Sequence, residues 1–401
     1  MSSKIPEIRF NGFTVDWEQR KLGELGSVAM NKRIFKEQTF NTGDIPFYKI
    51  GTFGGKPDAY ISRKIFEDYK QKYPYPKKGD ILISASGSIG RTVEYRGKDE
   101  YFQDSNIVWL KHDERLVNSF LKQFYKIVKW QGLEGSTIKR LYNKNILNTS
   151  IFIPSAEEQD RIGAFFNQLD DAIALHQREL ENFKKSKKAF LQKMFPKNGE
   201  TVPEIRFDGF ADDWEQRRLG DYAIYRRGSF PQPYGNKEWY DGDGAMPFVQ
   251  VVDVTKHLTL VDDTKQKISK LAQLKSVFVP KGKVVVTLQG SIGRVAITQY
   301  DTFVDRTLLI FEDYKNSTDA HFWAYVIQKK FEIEKQKAPG GTIKTITKES
   351  LSSFEVSLPE YQEQKRIGLF FKQLDDTITM HQRQLENLKQ TKKAFLQKMF
   401  V

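Results

Sequence analysis

Two long stretches of the chain carry apolar residues at alternating steps of four and three positions. The stretches begin near residues 156 and 361, and each keeps the pattern for about five heptads. This period is typical of a helix that buries one stripe of side chains against another helix. The seam positions are Ile162, Leu169, His176 and Phe183 in the first stretch and Ile367, Leu374, His381 and Leu388 in the second. We therefore expect long coiled-coil spacer helices over residues 156–196 and 361–401.

Each seam is interrupted by polar residues. We interpret His176 and His381 as residues that fix the register of the helices, because polar side chains at such positions have that effect in coiled coils. A metal or catalytic role is the alternative, but we predict no metal site in this chain. The seam lysines Lys187 and Lys392 are expected to reach solvent or an acidic partner.

Shorter apolar runs bounded by turn residues predict strands in the rest of the chain. Residues 78–84 and 281–287 are each predicted to form a turn followed by a strand, and residues 107–110 and 307–311 are predicted to form further strands. Helical spacing is found over residues 119–130 and 318–336. Strands dominate this order and few helices separate them. Each region is therefore expected to be a mixed α/β module of the α+β class rather than a doubly wound sheet.

The chain is an internal duplication. Residues 6–22 return as residues 203–219 with 13 of 17 positions identical, and residues 159–195 return as 364–400 with 27 of 37 identical. A repeat of this length indicates duplication of a whole domain with its helix, related by a pseudo-two-fold axis, so that the two helices should run antiparallel. The predicted parts are a domain over 1–155, a helix over 156–196, a domain over 197–360 and a helix over 361–401.

Composition narrows the range of functions. The chain has 401 residues, a formal net charge of +13, five His and no Cys. The positive excess indicates a polyanion partner, and the missing Cys fits a reducing compartment. No long apolar run or signal-peptide core is present, so we expect a soluble cytoplasmic protein. Phosphate-loop, zinc-hydrolase and dinucleotide-binding motifs are also absent from the sequence, and we predict no catalytic residues.

Glycine-rich turns follow the predicted strands in both halves. Glycine allows close approach of the backbone, exposed amides can hold a phosphate oxygen, and the arginine that ends each turn is a planar donor. The alternative is a tight turn whose arginine pairs with a carboxylate. Basic loops later in each half could also meet phosphates or could be merely solvated. Nearby Gln, Asn and Arg side chains have the hydrogen-bonding groups needed to read bases.

The candidate DNA-binding residues of the first half are Ser86, Gly87, Ser88, Arg91, Gln103, Ser105, Asn106, Ser136, Thr137, Lys139 and Arg140. Those of the second half are Gln289, Gly290, Ser291, Arg294, Arg306, Thr307, Thr342 and Lys344.

The sequence resembles the DNA-specificity subunit of type I restriction–modification systems. The resemblance covers the whole chain. It depends on the WEQRKLG segment at 17–23, repeated as WEQRRLG at 214–220, and on the Ser-Ile-Gly-Arg turns. It also depends on the segments from Pro154 to Gln159 and from Pro359 to Gln364, which lead into the long helices.

The resemblance implies that each variable domain is a target-recognition domain for one half of a bipartite, asymmetric DNA site in a bacterial cytoplasm. The spacer helices would dock two modification subunits, which methylate adenine with S-adenosylmethionine, and restriction subunits would use ATP and Mg²⁺. No cofactor is expected in this chain, which would be a non-catalytic subunit. A coiled-coil scaffold that binds only proteins remains the alternative.

Overall fold

The structure is a computed structural model that describes residues 5–131, 139–197, 199–337, 346 and 348–401. The chain forms two compact units. The first unit combines Met1–Gln177 with Arg383–Val401, and the second is Arg178–Gln382. Each unit therefore contains one copy of the domain and one segment from each long helix. Within the described ranges, no helix is long and apolar enough to cross a membrane.

The first unit has three small sheets. Its strands are β1 Glu18–Lys21, β2 Gly26–Ala29, β3 Ile45–Tyr48, β4 Ala59–Ile61, β5 Ile81–Ser84, β6 Thr92–Glu94, β7 Tyr101–Phe102, β8 Ile107–His112 and β9 Ser150–Ile153. Its helices are α1 Leu22–Leu25, α2 Arg63–Lys72, α3 Asn118–Ile127, α4 Asn143–Leu147 and the first part of α5 Ala156–Lys193. The strand orders are β1-β9, β2-β8-β5-β6 and β4-β3-β7, and within the described residues only the pair β3–β7 is parallel in this unit.

The second unit repeats this plan. Its strands are β10 Glu215–Arg218, β11 Ala223–Arg227, β12 Met246–Val249, β13 Gln266–Ile268, β14 Val277–Val279, β15 Val284–Thr287, β16 Val295–Ile297, β17 Thr302–Val304, β18 Leu308–Tyr314 and β19 Glu355–Leu358. Its helices are α6 Leu219–Tyr222, α7 Lys270–Gln273, α8 Ala320–Lys337, α9 Lys348–Ser352 and the first part of α10 Tyr361–Lys398. The orders are β10-β19, β11-β18-β15-β16 and β13-β12-β17-β14, so β14 extends the mixed sheet by one strand.

These elements confirm the mixed α/β prediction for both domains. The two strands that precede the long helices end at Ile153 and Leu358, each directly before a proline. Proline lacks the backbone N–H that a strand would use, so the strand stops there. The long helices α5 and α10 have 38 residues each, which corresponds to about 57 Å.

The two long helices are antiparallel within each unit. In the first unit Phe165 near the start of α5 packs edge-on against Phe395 near the end of α10, with ring centroids 5.1 Å apart. In the second unit Phe190 near the end of α5 packs in the same way against Phe370, also at 5.1 Å. The expected antiparallel arrangement is therefore confirmed in both units by the same aromatic pair.

Repeated motifs fasten the start of each long helix to its domain. Arg9 donates two hydrogen bonds of 2.7 Å to the buried carboxylate of Glu158, and Arg206 does the same to Glu363. Such bidentate pairs fix geometry as well as charge. The neighbouring Gln159 amide donates to Pro154 O and accepts from the Val117 amide, so it ties the strand, the helix and α3 together.

The end of each long helix completes the core of the unit that contains the other domain. Phe400 stacks on Phe120 in the first unit at 5.0 Å, and Phe195 stacks on Phe322 in the second at 5.6 Å. These phenylalanines are 8% and 4% exposed, and Trp17 and Trp214, which contact them, are 1% exposed each. Each domain core is thus closed by the end of the long helix that begins in the other domain.

Acidic residues of the long helices meet the seam lysines. In the first unit Asp170 binds both Lys392 and Lys126 of α3, the latter at 2.9 Å. The equivalent Asp375 of the second unit binds Lys187 and accepts a hydrogen bond from the hydroxyl of Tyr325 on α8. The acidic partner expected for the seam lysines is therefore part of this chain. Each cluster joins a domain helix to both long helices.

A circular permutant tests the exchange of helix ends. The Ile8 amide donates to Lys398 O at 2.9 Å, and the Ile205 amide donates to Lys193 O at 2.9 Å in the second unit. Twelve residue steps separate Lys193 from Ile205, and joining Val401 directly to Met1 would leave eleven between Lys398 and Ile8.

The permutant opened after Pro196, with Val401 joined to Met1 through one glycine, should therefore fold, and its thermal unfolding midpoint should stay within about 5 °C of the native chain. The matched variant F400A should destabilise native chain and permutant alike, by about 3–5 kcal/mol in denaturant unfolding. A permutant that folds but is insensitive to F400A would show that the helix end does not close the core.

The cluster of Asp170, Lys126 and Lys392 should make the free energy of unfolding depend on pH. Burial and the neighbouring Lys392 ammonium lower the pKa of Lys126 to about 8, from an ordinary value of 10.5. The unfolded chain then holds this proton more tightly than the folded chain, so the free energy of unfolding should rise as the pH increases from about 8 to about 10.5. K126M should remove this contribution in denaturant titrations at several pH values. K122M, which removes another lysine from the same helix, should retain it; equal behaviour of both variants would contradict the assignment.

Candidate nucleic-acid interface

In both units a tight turn joins two strands of the entirely antiparallel four-stranded sheet, β5 and β6 in the first unit and β15 and β16 in the second. In the first unit the turn runs from Ser84 to Arg91, and Gly87 and Gly90 have φ values of 63° and 83°. A Cβ atom on Gly90 would lie 2.8 Å from the indole nitrogen of Trp130. Glycine is therefore required there both for the backbone conformation and for the close approach of a side chain. In the second unit Gly290 and Gly293 have φ values of 64° and 81°.

Several amides of the turn are used to hold the turn itself. The Gly90 amide donates to Ser84 O at 3.0 Å, and the Arg91 amide donates to the Ser84 hydroxyl at 2.9 Å. The second unit has the same bonds from Gly293 and Arg294 to Thr287. These amides are already paired, so a phosphate at the turn would have to be held by other groups, including the arginine side chains.

The two turn arginines lie against the loop that follows β3 in the first unit and β12 in the second. Arg91 is exposed, and its Nε lies 3.6 Å from the position that a Cβ on Gly54 would take. Arg294 is half-buried and donates from Nη1 to Val254 O at 3.4 Å. Among the described residues neither guanidinium pairs with a carboxylate. The alternative of a structural ion pair therefore finds no support here.

Four of the predicted residues of the first half meet in one cluster. The Ser86 hydroxyl donates to Asn106 Oδ1 at 2.7 Å, and Arg140 donates to Ser105 Oγ at 3.0 Å and to Asn106 Oδ1 at 3.4 Å. Ser105 has a φ of 51°, an uncommon conformation for a residue other than glycine. The cluster brings together residues up to 54 positions apart, and it gives Arg140 a defined orientation beside the glycine-rich turn.

The loop after β7 carries two further polar groups beside this cluster. The side-chain oxygen of Gln103 accepts a 2.9 Å hydrogen bond from the Ile50 amide, which fixes the amide group in the loop. Asp104 accepts a 2.9 Å hydrogen bond from Arg33. Arg33 and Asp104 lie beside the predicted residues but are not among them, because they are 71 positions apart and neither belongs to a repeated motif.

The equivalent loop of the second unit has different chemistry. Asp305 is 3% exposed, and its carboxylate accepts hydrogen bonds from the Thr307 amide, the Thr307 hydroxyl and the hydroxyl of Tyr234. The guanidinium of Arg306 lies over the Tyr234 ring, 5.3 Å from its centroid. Burial and the Asp305 carboxylate raise the pKa of Tyr234, so its hydroxyl remains a donor. The sequence did not indicate Tyr234 or Asp305 either, because Tyr234 lies 71 positions from its partner Asp305.

The remaining predicted residues are distributed around these loops. Gly87, Ser88, Lys139, Gln289 and Gly290 are exposed, and Ser291 is half-buried. Leu288 links the second turn to its loop, since its amide donates to Thr307 O at 2.8 Å. The predicted residues Ser136, Thr137, Thr342 and Lys344 lie outside the described residues. The predicted assignment of all these residues to DNA binding stays a prediction.

The predicted seam residues are buried or half-buried along the long helices. His381 packs against the Phe183 ring at 5.2 Å, and its Nδ1 lies 3.4 Å from a carboxylate oxygen of Glu179 in the same unit. An aromatic contact and a nearby acid give this histidine a packing role within the helix pair, which fits the register interpretation.

Comparison with known proteins identifies the family. The family described as "Type I restriction modification DNA specificity domain" matches residues 14–185 and again residues 211–390. The putative type I restriction enzyme specificity subunit S.HindORF215P of Haemophilus influenzae is 61% identical over 151 residues, which are 37% of this chain and 39% of that protein. The putative type I restriction enzyme MjaX specificity subunit of Methanocaldococcus jannaschii is 25% identical over 414 residues, covering 95% of this chain and 92% of that protein.

Solved structures share the fold. The S subunit of a type I restriction–modification system from M. genitalium superposes with a TM-score of 0.65 at 15% identity, over 99% of both chains. A chain from a study of complex assembly in the type I system gives a TM-score of 0.50 at 18% identity, over 96% of this chain and 97% of that chain. The two family matches follow the internal duplication and together cover most of the sequence, so the chain belongs to the type I restriction–modification DNA specificity family.

Proposed function

We propose that this chain is the specificity subunit that reads a bipartite, asymmetric DNA site and directs type I methyltransferase and restriction subunits to it. The observation that carries the proposal is one loop framework, present in both units, that holds different side chains at equivalent positions. A protein that reads two unlike half-sites needs this combination, because the framework sets the approach to DNA and the side chains select the bases.

The first residue after β7 and β17, the strands that pair in parallel with β3 and β12, is the clearest example. The Gln103 amide N–H donates to Tyr48 O at 2.9 Å, and the Asp305 amide N–H donates to Val249 O at 3.0 Å. The backbone is thus held in the same way in both units. The side chain is an amide in the first unit and a carboxylate in the second. The buried Asp305 carboxylate is used within its own loop, where Thr307 and Tyr234 donate to it. The second unit therefore presents the exposed Arg306 where the first unit has Asp104 and Ser105, and these different side chains support different base preferences for the two units.

Charge supports DNA as the polyanion. The net charge of +13 favours phosphate contacts, and exposed cations such as Arg91, Lys139 and Arg306 lie on or beside the repeated loops. Contacts between cations and phosphates release counterions, so binding should weaken steeply as salt concentration rises.

The proposed partners follow from the duplicated helices and from the relatives. Two copies of one long helix offer two equivalent surfaces, which suits two modification subunits. A structure related in fold comes from a study of complex assembly in a type I system. In the proposal those partners carry the S-adenosylmethionine, ATP and Mg²⁺ chemistry, and this chain contributes recognition without a catalytic residue or a cofactor.

Mapping of methylated adenines tests the proposal. DNA from cells that make this chain with its modification subunits should carry methyladenine in one bipartite motif with an unread gap. Cells with the modification subunits alone provide the control and should lack that motif. A protein-binding scaffold would leave the methylation pattern unchanged, and competition between DNA duplexes would then show no sequence preference.

Removal of the turn arginines should weaken DNA binding in a salt-dependent manner. R91A and R294A are each expected to bind more weakly and to reduce the slope of log affinity against log salt by about 1, which is the effect of losing one phosphate contact. Fluorescence anisotropy at several salt concentrations measures both quantities. R20A and R217A are matched controls, since these arginines lie on the two-stranded sheets and pair with Glu18 and Glu215. An unchanged slope in both turn variants would contradict a phosphate role.

A further inference from the structure

Arg306 stands out among the cations of the second unit. It is exposed in the turn between β17 and β18, and its guanidinium lies over the face of Tyr234 at 5.3 Å from the ring centroid. Within the described part of the chain, this guanidinium makes no hydrogen bond or ion pair with another side chain. The charge is therefore held in position by an aromatic face while its N–H donors remain available to a ligand.

The aromatic face is itself firmly supported. The Tyr234 hydroxyl donates to the buried Asp305 carboxylate, and the Tyr234 ring stacks on Phe230 with centroids 4.9 Å apart. Phe230 in turn packs against Phe248 at 4.7 Å in the core beside the mixed sheet that contains β12. A ring fixed at both its hydroxyl and its face leaves little freedom to the side chain that stacks on it.

Asp305 does not form an ion pair with its neighbour Arg306. One of its carboxylate oxygens accepts from the backbone and hydroxyl of Thr307, and the other accepts from Tyr234. The acid that could have paired with the arginine is used instead to build the turn and to anchor the ring. This arrangement positions a planar cation without consuming its donors.

The corresponding turn of the first unit is built differently. It is one residue longer, and the arginine beside it, Arg140, donates to Ser105 and Asn106. The residues of that turn are Gln103, Asp104, Ser105 and Asn106, and none of them is an arginine. The stacked arginine is thus a feature that distinguishes the second unit from the first.

From this geometry we propose that Arg306 reads a guanine, through its major-groove edge, in the half-site bound by the second unit. The inference rests on the proposed DNA-reading function. Guanine presents two acceptors, O6 and N7, and a planar guanidinium can donate to both at once. A phosphate contact needs only a nearby positive charge, whereas base reading needs a fork held in a fixed direction. The Tyr234 platform supplies that direction and reduces the entropy lost on binding.

Selection of binding sites from randomised duplexes tests the inference. The full chain should select a motif with one G·C pair whose replacement costs about 5- to 150-fold in affinity. R306A and R306K should both lose the preference at that one pair and keep every other position. R306K keeps the charge but lacks the planar fork, so its loss of preference would separate base reading from simple charge.

Two tyrosine variants and one arginine control complete the experiment. Y234L removes the platform and should weaken the same preference, whereas Y234F keeps the ring and should weaken it less. R226A removes an exposed arginine of the same unit that pairs with Glu312 at 3.2 Å, and it should leave the motif unchanged. Circular dichroism and thermal unfolding establish that each variant is folded.

The outcomes separate this inference from the function on which it depends. A wild-type chain that selects no motif would overturn the proposed function and the inference together. A wild-type motif that R306A and R306K retain at every position would overturn the inference alone. A uniform loss of affinity in R306A, with a salt slope smaller by about 1 and an unchanged motif, would show a phosphate contact and overturn guanine reading.

Discussion

The exchange of helix ends is the constraint on which the rest of the structure depends. Phe400 closes the core of the first unit and Phe195 closes the core of the second, each stacked on a phenylalanine of a domain helix. Burying such a side chain contributes about 1.5–3 kcal/mol, and its loss also leaves a cavity in a close-packed core. A domain of this protein is therefore completed by the helix that begins in the other domain, and the two copies depend on each other.

This constraint explains why the repeated sequence lies where it does. The pairs Arg9–Glu158 and Arg206–Glu363 fasten the start of each helix, and the phenylalanine at each helix end fills the other core. Residues with these roles are the same in both halves because the geometry at the helix ends is the same. The loops that follow β7 and β17 do not attach the long helices to the domains. Their side chains can therefore differ without disturbing the core at either helix end.

The two halves also differ within the framework. Asp170 binds two lysines, whereas the equivalent Asp375 binds one lysine and a tyrosine hydroxyl. Two lysines around one half-buried acid leave an excess positive charge in a partly desolvated place, and burial together with the Lys392 ammonium lowers the pKa of Lys126. The second cluster avoids this excess because a tyrosine hydroxyl donates without adding charge. The cluster that attaches α3 to the long helices therefore has one more positive charge than the cluster that attaches α8.

The sequence by itself determined the duplication, the long antiparallel helices, the mixed domains and the glycine-rich turns, because these depend on local periodicity and on direct repetition. It also pointed to Ser86, Asn106 and Arg306, which lie beside repeated motifs. Only the tertiary structure decided that Tyr234 supports Arg306, that Asp305 anchors the Tyr234 hydroxyl, and that Phe400 belongs to the core of the first unit. Those contacts join residues from 71 to several hundred positions apart, and their partners follow from packing in three dimensions rather than from any pattern along the chain.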